Sequence, residues 1–266
     1  MKNSERPIGI FDSGLGGLTV FKAVRRLMPC ENIIYFGDTA RVPYGSKSKE
    51  SVISFSKEIT ALLSARGVKL IIVACNTASS LALDEARKVS KVPVIGVIEP
   101  GARAAVAATA NNSILVAGTT ATVSSGAYRR TLKQIRPGVK VYEKACPLFV
   151  PLVEEGWCSK KLAEMVVSEY LTPLKKKGFD TVILGCTHYP LLKKVIARVL
   201  GGGVKIVDSA AVAASEAMNN LASRKLLNVS GSGRARFIAS EAPEKFKTLA
   251  LRLLGIKTGR VEVHRF

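Results

Sequence analysis

The 266-residue sequence predicts an α/β protein of two pseudo-symmetric domains, each with a mostly parallel sheet flanked by helices. Short β-branched runs alternate with longer helical patterns, the order expected of repeated strand–helix–strand units. Residues 71–73 and 182–184 are apolar at consecutive positions, as strands covered on both faces require. A strand–turn element followed by a strand–cysteine element also occurs twice. In the first copy 63 residues separate Asp12 from Cys75, and in the second 67 separate Thr119 from Cys186.

Taken in order, a strand over residues 7–11 runs into DSGLGGLTV, a turn that opens a helix over about 17–28. Further strands are expected over 32–36, 70–74 and 92–97, with helices over 48–65 and 78–89 between them. After a helix over 99–109, a strand over 113–117 runs into the hydroxyl-rich TTATVSSGA and a helix over 123–135. Strands over 140–144, 181–184 and 205–207 follow, with helices over 159–177, 189–200 and 209–226. The boundary falls near Glu99-Pro100-Gly101 and a return crossing near Asp208-Ser209. Residues 1–98 plus 209–266 then make one domain and 99–208 the other.

Composition narrows the class. An apolar fraction of 47% and a charged fraction of 23% suit a globular protein. The longest apolar stretches are too short to cross a bilayer, and MKNSERPIGIFDSG has no apolar signal region, so a cytoplasmic location is expected. Five cysteines in such a chain are expected to be reduced, and no CxxC or Cys/His spacing points to a metal. The net charge of +20 is spread along the chain, and only KKK at 175–177 forms a short run. Spread charge attracts anions or binds polyanions weakly; it does not make a dedicated nucleic-acid site.

Chemistry concentrates at strand ends, where ligands bind in such sheets. Cys75-Asn76-Thr77 and Cys186-Thr187-His188 each follow a strand and precede a helix. Either cysteine alone reads as a buried core thiol. At a helix N-terminus, however, a thiol feels the positive dipole end, which lowers its pKa. If two such thiols face each other, one removes a proton from a tetrahedral carbon and the other delivers one to the opposite face. The outcome is inversion at a carbon acid. Asp12 beside Cys75 and His188 beside Cys186 are the candidate proton partners. A Cys75–Cys186 disulfide is the competing geometry. DSGLGGL matches neither common phosphate-binding glycine loop; it is a tight strand-to-helix turn, or one that also aims Asp12 and Ser13 into the space between the halves. Tyr44-Gly45 ends a turn whose backbone donors suit a carboxylate. Glu154 and Glu155 read by composition as an acidic pair ahead of the next helix.

The motifs FDSGLGGLTV, YFGDTARVPYG, ACNTASS, GTTATVSSGAY, CPLFVPLVEEGW and LGCTHYPLL together resemble the glutamate racemase family, within the cofactor-independent aspartate/glutamate racemase superfamily. The likeness runs colinearly from Pro7 to RFIASEAPEKF. It implies two pseudo-symmetric domains with the active site between them, no cofactor or metal, and glutamate as substrate for peptidoglycan synthesis. By the same matching Cys75 and Cys186 are the two acid/base thiols, Asp12 assists Cys75, and His188 with Glu155 assists Cys186. Asp12, Ser13, Tyr44, Gly45, Asn76, Thr77, Thr119, Thr122, Thr187 and His188 would bind the substrate. A homodimer is expected. The alternatives are a racemase of aspartate or a related acid, and a basic polyanion-binding protein that tolerates loss of both thiols.

Overall fold

The structure is a computed structural model that describes residues 2–266. Its described residues form two parallel sheets. The strands are β1 (Ile8–Asp12), β2 (Ile33–Gly37), β3 (Leu70–Val73), β4 (Val94–Gly96), β5 (Ser113–Gly118), β6 (Lys140–Ala145), β7 (Thr181–Gly185), β8 (Lys205–Asp208), β9 (Ala235–Ala239) and β10 (Val261–Val263). The first sheet has the order β10-β9-β2-β1-β3-β4 and the second β6-β5-β7-β8. Every pair is parallel.

The second sheet repeats the order of the first one's inner part: β6-β5-β7-β8 corresponds to β2-β1-β3-β4. In both, the chain leaves the first strand of the group toward one side and then crosses to the other. That reversal opens a crevice at the carboxyl ends of β1 and β3, and of β5 and β7. Cys75 lies just beyond β3 and Cys186 just beyond β7, so the two cysteines occupy corresponding positions.

The consecutive apolar residues serve both faces of each sheet. Leu70 and Ile72 join one core cluster while Ile71 and Val73 join the other. Val182 and Leu184 likewise face away from Ile183. Helices pack over all four sheet faces, which is why these strands lack polar alternation.

Four expected helices are interrupted; the one over 189–200 opens as a 3-10 turn, Tyr189–Leu192, before the helix Lys193–Leu200. The one over 78–89 breaks at Ala82 into Asn76–Leu81 and Leu83–Val89. The one over 123–135 becomes Thr120–Ser124 and Ala127–Ile135, separated by Gly126 with φ 62°. The one over 159–177 ends at Leu171, and Pro173 follows in a 3-10 turn. Phe149–Glu154 and Pro243–Leu254 are helices the sequence reading did not set out, and β9 and β10 are additional strands. Edge strand β10 has only three residues, and β9 enters the sheet through two exposed ones, Ala235 and Arg236, so neither shows a clear apolar period. No helix among the described residues is long and apolar enough to cross a membrane.

Candidate active site

A cavity of about 250 Å³ lies between the carboxyl ends of the two sheets. Ser13, Tyr44, Gly45, Cys75, Asn76, Thr77, Thr119, Cys186, Thr187 and His188 all line it, so most residues singled out in the sequence converge on one space. Asp12 and Thr122 are fully buried and lie behind the wall. Both thiols are free and almost entirely buried, and the competing disulfide is not formed.

Asp12, the last residue of β1, ties the two halves together. It accepts the Gly14 N–H on Oδ2 at 3.0 Å and the Thr187 hydroxyl on Oδ1 at 3.2 Å. The sequence pairs Asp12 with the first cysteine; in the structure it also touches the residue that follows the second. Burial raises its pKa, opposed by the positive charge of His188 and by these hydrogen bonds.

Cys75 caps the helix Asn76–Leu81, and its Sγ lies 3.8 Å from Ser13 Oγ. The expected lowering of its pKa does not occur. Burial, with the nearby Asp12 charge, pushes the thiol up to about 12, and the N–H of Ala78 opposes this only in part. The helix has just six residues, so its dipole is weak against complete desolvation. Cys75 is therefore held as a neutral thiol.

Cys186 Sγ lies 3.9 Å from His188 Nδ1, and His188 Nε2 lies 3.2 Å from Glu154 Oε1. Burial works against an imidazolium here, but hydrogen bonds to Cys186 and Glu154 and the charges of Cys186 and Asp12 outweigh it. The His188 pKa is pushed up to about 10. Glu155 is the assigned catalytic residue that the structure places away from the site. It is exposed and does not line the cavity, whereas Glu154 does. The helix Phe149–Glu154 ends between them, and its last residue, not the one after, turns toward the imidazole. Glu154→Gln should therefore bring the His188 titration down from about 10, with kcat falling about tenfold. Glu155→Gln should change neither. With two histidines in the chain, imidazole proton resonances followed against pH read this directly.

Hydroxyls close one side of the cavity. Thr77 Oγ1 lies 3.0 Å from Thr119 Oγ1 and 3.4 Å from Thr122 Oγ1, and Thr119 donates to Thr122 at 3.0 Å. Thr122 thus supports the two threonines in front of it. Gly45 leaves Thr119 its place, since a Cβ there would sit 3.0 Å from Thr119 Cβ. Gly16 has no positive φ; it is needed for close approach, because a Cβ would lie 2.5 Å from His188 Nδ1. The Tyr44 hydroxyl donates to Asp38, a buried residue also bound by Arg41 at 2.6 Å. The Tyr44 phenol is thus tied to Asp38, while the residue lines the cavity beside Gly45. Asp38 and Arg41 lie inside the YFGDTARVPYG motif without having been assigned a part; the signal available was an Asp three residues before an Arg on a turn.

The sequence profile described as Asp/Glu/Hydantoin racemase matches residues 18–217. The chain is 49% identical over 257 residues to glutamate racemase of Geobacter metallireducens, covering 96% of this chain and 95% of that protein. Its structure is similar to that of a Bacillus anthracis glutamate racemase isoform, with TM-score 0.94, 38% identity and coverage of 99% and 98% of the two chains. It is equally close to a Francisella tularensis glutamate racemase solved with D-glutamate: TM-score 0.93, 38% identity, 98% of each chain.

Proposed function

The chain belongs to the Asp/Glu/Hydantoin racemase family, and from that premise we infer that it interconverts L- and D-glutamate by proton transfer at the α-carbon. The observation that carries the reading is the placement of Cys75 and Cys186 at corresponding strand ends, both facing one cavity. A substrate carbon held between them has one thiol on each face. The thiolate on one face takes the α-proton. The electron pair left on carbon delocalises into the carboxylate, and the thiol opposite returns a proton, inverting the centre.

In this reading Asp12 takes and returns the Cys75 proton, and His188, held by Glu154, does the same for Cys186. The raised Cys75 pKa has a use here: a thiolate that is hard to form is the stronger base once formed. The Ser13, Tyr44 and Gly45 backbone, Asn76 and the Thr119 and Thr187 hydroxyls hold the carboxylates and ammonium. Thr77 and Thr122 keep that hydroxyl group in register. The spread positive charge raises the local concentration of a dianionic substrate.

We divide the chain into residues 1–98 with 209–266, and 99–208. The helix Ile98–Ala108 packs on β7 and β8, while Ser209–Ser223 packs on β3 and β4, which supports that division. The proposal includes a cytoplasmic enzyme that supplies D-glutamate for peptidoglycan. It includes a homodimer too, for which exposed Trp157, Leu162 and Met165 offer apolar surface.

Incubation with L-glutamate in deuterated water tests the reading. The α-proton resonance should disappear while optical activity decays to zero. Exchange with aspartate and none with glutamate would overturn the substrate; no exchange with either would overturn the chemistry.

A further inference from the structure

Tyr128 lies outside the cavity wall, yet it reaches the residues behind both cysteines. It is fully buried on the helix Ala127–Ile135. Its hydroxyl donates to Asn76 Oδ1 at 2.7 Å, crossing from the helix that flanks β5 and β6 to the turn after β3. Two glycines make room for the ring. A Cβ on Gly101 would lie 3.3 Å from the Tyr128 hydroxyl, and one on Gly185 3.3 Å from its Cε2. Gly185 immediately precedes Cys186 and Asn76 immediately follows Cys75, so one side chain braces both cysteine turns.

The Asn76 end of this contact points to the ligand. Asn76 is 2% exposed, it lines the cavity, and its Nδ2 has no hydrogen-bond partner among the described residues. A buried amide nitrogen left unpaired is costly unless something bound supplies the acceptor. The carboxamide has two ends, and Tyr128 decides which one faces the cavity. The Ser209 hydroxyl, close to Gly101, donates to the Leu184 carbonyl, and the phenol proton goes to Asn76 Oδ1. With Oδ1 occupied from behind, only the NH₂ remains in front.

We propose that Tyr128 is a positioning residue that fixes the Asn76 amide with its nitrogen toward the cavity, where it donates to a substrate carboxylate. The inference rests on the glutamate reading above. Without the phenol hydroxyl the amide turns over, and its oxygen meets a carboxylate oxygen in place of a donor. Binding suffers in the ground state and the transition state alike, so KM carries the loss.

Tyr128→Phe removes one oxygen and leaves the packing between Gly101 and Gly185 intact. It should raise KM for glutamate about tenfold with kcat within about twofold. In an Asn76→Ala background the same change should add nothing to KM, because the group it orients is gone. A general packing role would give effects that multiply. An unchanged KM in Tyr128→Phe, or multiplicative effects in the pair, overturns the proposal. Should Tyr128→Phe fail to fold, Asn76→Asp asks the same question. It keeps the oxygen facing Tyr128 and places a second one toward substrate, so its KM must exceed that of Asn76→Ala; equal values overturn the proposal. The unaltered protein, run alongside, separates the two readings. If it does not turn over glutamate, the substrate reading falls and takes this inference with it. If it does, an unchanged KM in the variant removes this inference alone.

Discussion

Cys75→Ala and Cys186→Ala should each lower kcat for glutamate racemisation by at least about a thousandfold, in both directions. Each thiol serves one face of the α-carbon, and in this reading His188 and Asp12 exchange protons with the sulfurs rather than with that carbon. Removing Cys75 leaves Ser13 as the neighbouring hydroxyl, and that group is far too weak an acid or base to substitute. The fold should survive, because both sulfurs sit at strand ends and both changes remove a single atom. Circular dichroism of each variant checks the fold, and polarimetry from L- and from D-glutamate checks the rate. Loss of less than about tenfold in either variant would sink the two-thiol mechanism.

The next largest loss is expected from His188→Asn: about a hundredfold in kcat/KM. Because the two enantiomers of glutamate have equal free energy, kcat/KM must fall by the same factor in both directions. The separate kcat and KM values need not. The variant should also change the alkaline behaviour. In the folded protein His188 is pushed up to about 10 from an ordinary 6.5, so its protonated form is favoured by folding. That contribution is fully present below pH 6.5 and is lost as the pH rises toward 10. The urea midpoint of the unaltered protein should therefore decline more steeply over that interval than that of the variant. Parallel curves would show that the imidazole is not held in its charged form.

The parts of the molecule legible in the sequence are those where one local signal has one meaning. The doubly apolar runs at 71–73 and 182–184 read as covered strands because few other environments hold three consecutive aliphatic residues beside a helix start. The cysteines read as a pair because the same element recurs at nearly the same spacing. What could not be read depends on where a helix stops. Glu154 and Glu155 are adjacent acids, and which one meets His188 is set by the last turn of Phe149–Glu154, a difference of about 100° around the helix axis. The Cys75 pKa departs from the sequence expectation for a related reason. The sequence shows a helix beginning after the cysteine but not that Ala82 breaks it after six residues, nor how completely the thiol is shut from water. The Asp12–Thr187 bond and the Tyr128–Asn76 bond join residues far apart in the chain, and no periodicity encodes them. β9 escapes the covered-strand rule because its buried run, Phe237-Ile238-Ala239, holds a single branched aliphatic residue and follows two exposed residues, Ala235 and Arg236.

The two sheets differ in when they become complete during synthesis. Every strand of the four-stranded sheet lies between Ser113 and Asp208, so the sheet leading into Cys186 needs no strand from further along the chain. The six-stranded sheet has β2 paired to β9, with Ile33 against Ala235, and β9 in turn to β10 near the end of the sequence. A ribosome therefore releases the central segment able to fold while β2 still lacks its neighbour and presents an open, apolar edge. The sheet that leads into Cys75 is therefore the one completed last by the chain's own order, contrary to the usual amino-terminal-first sequence.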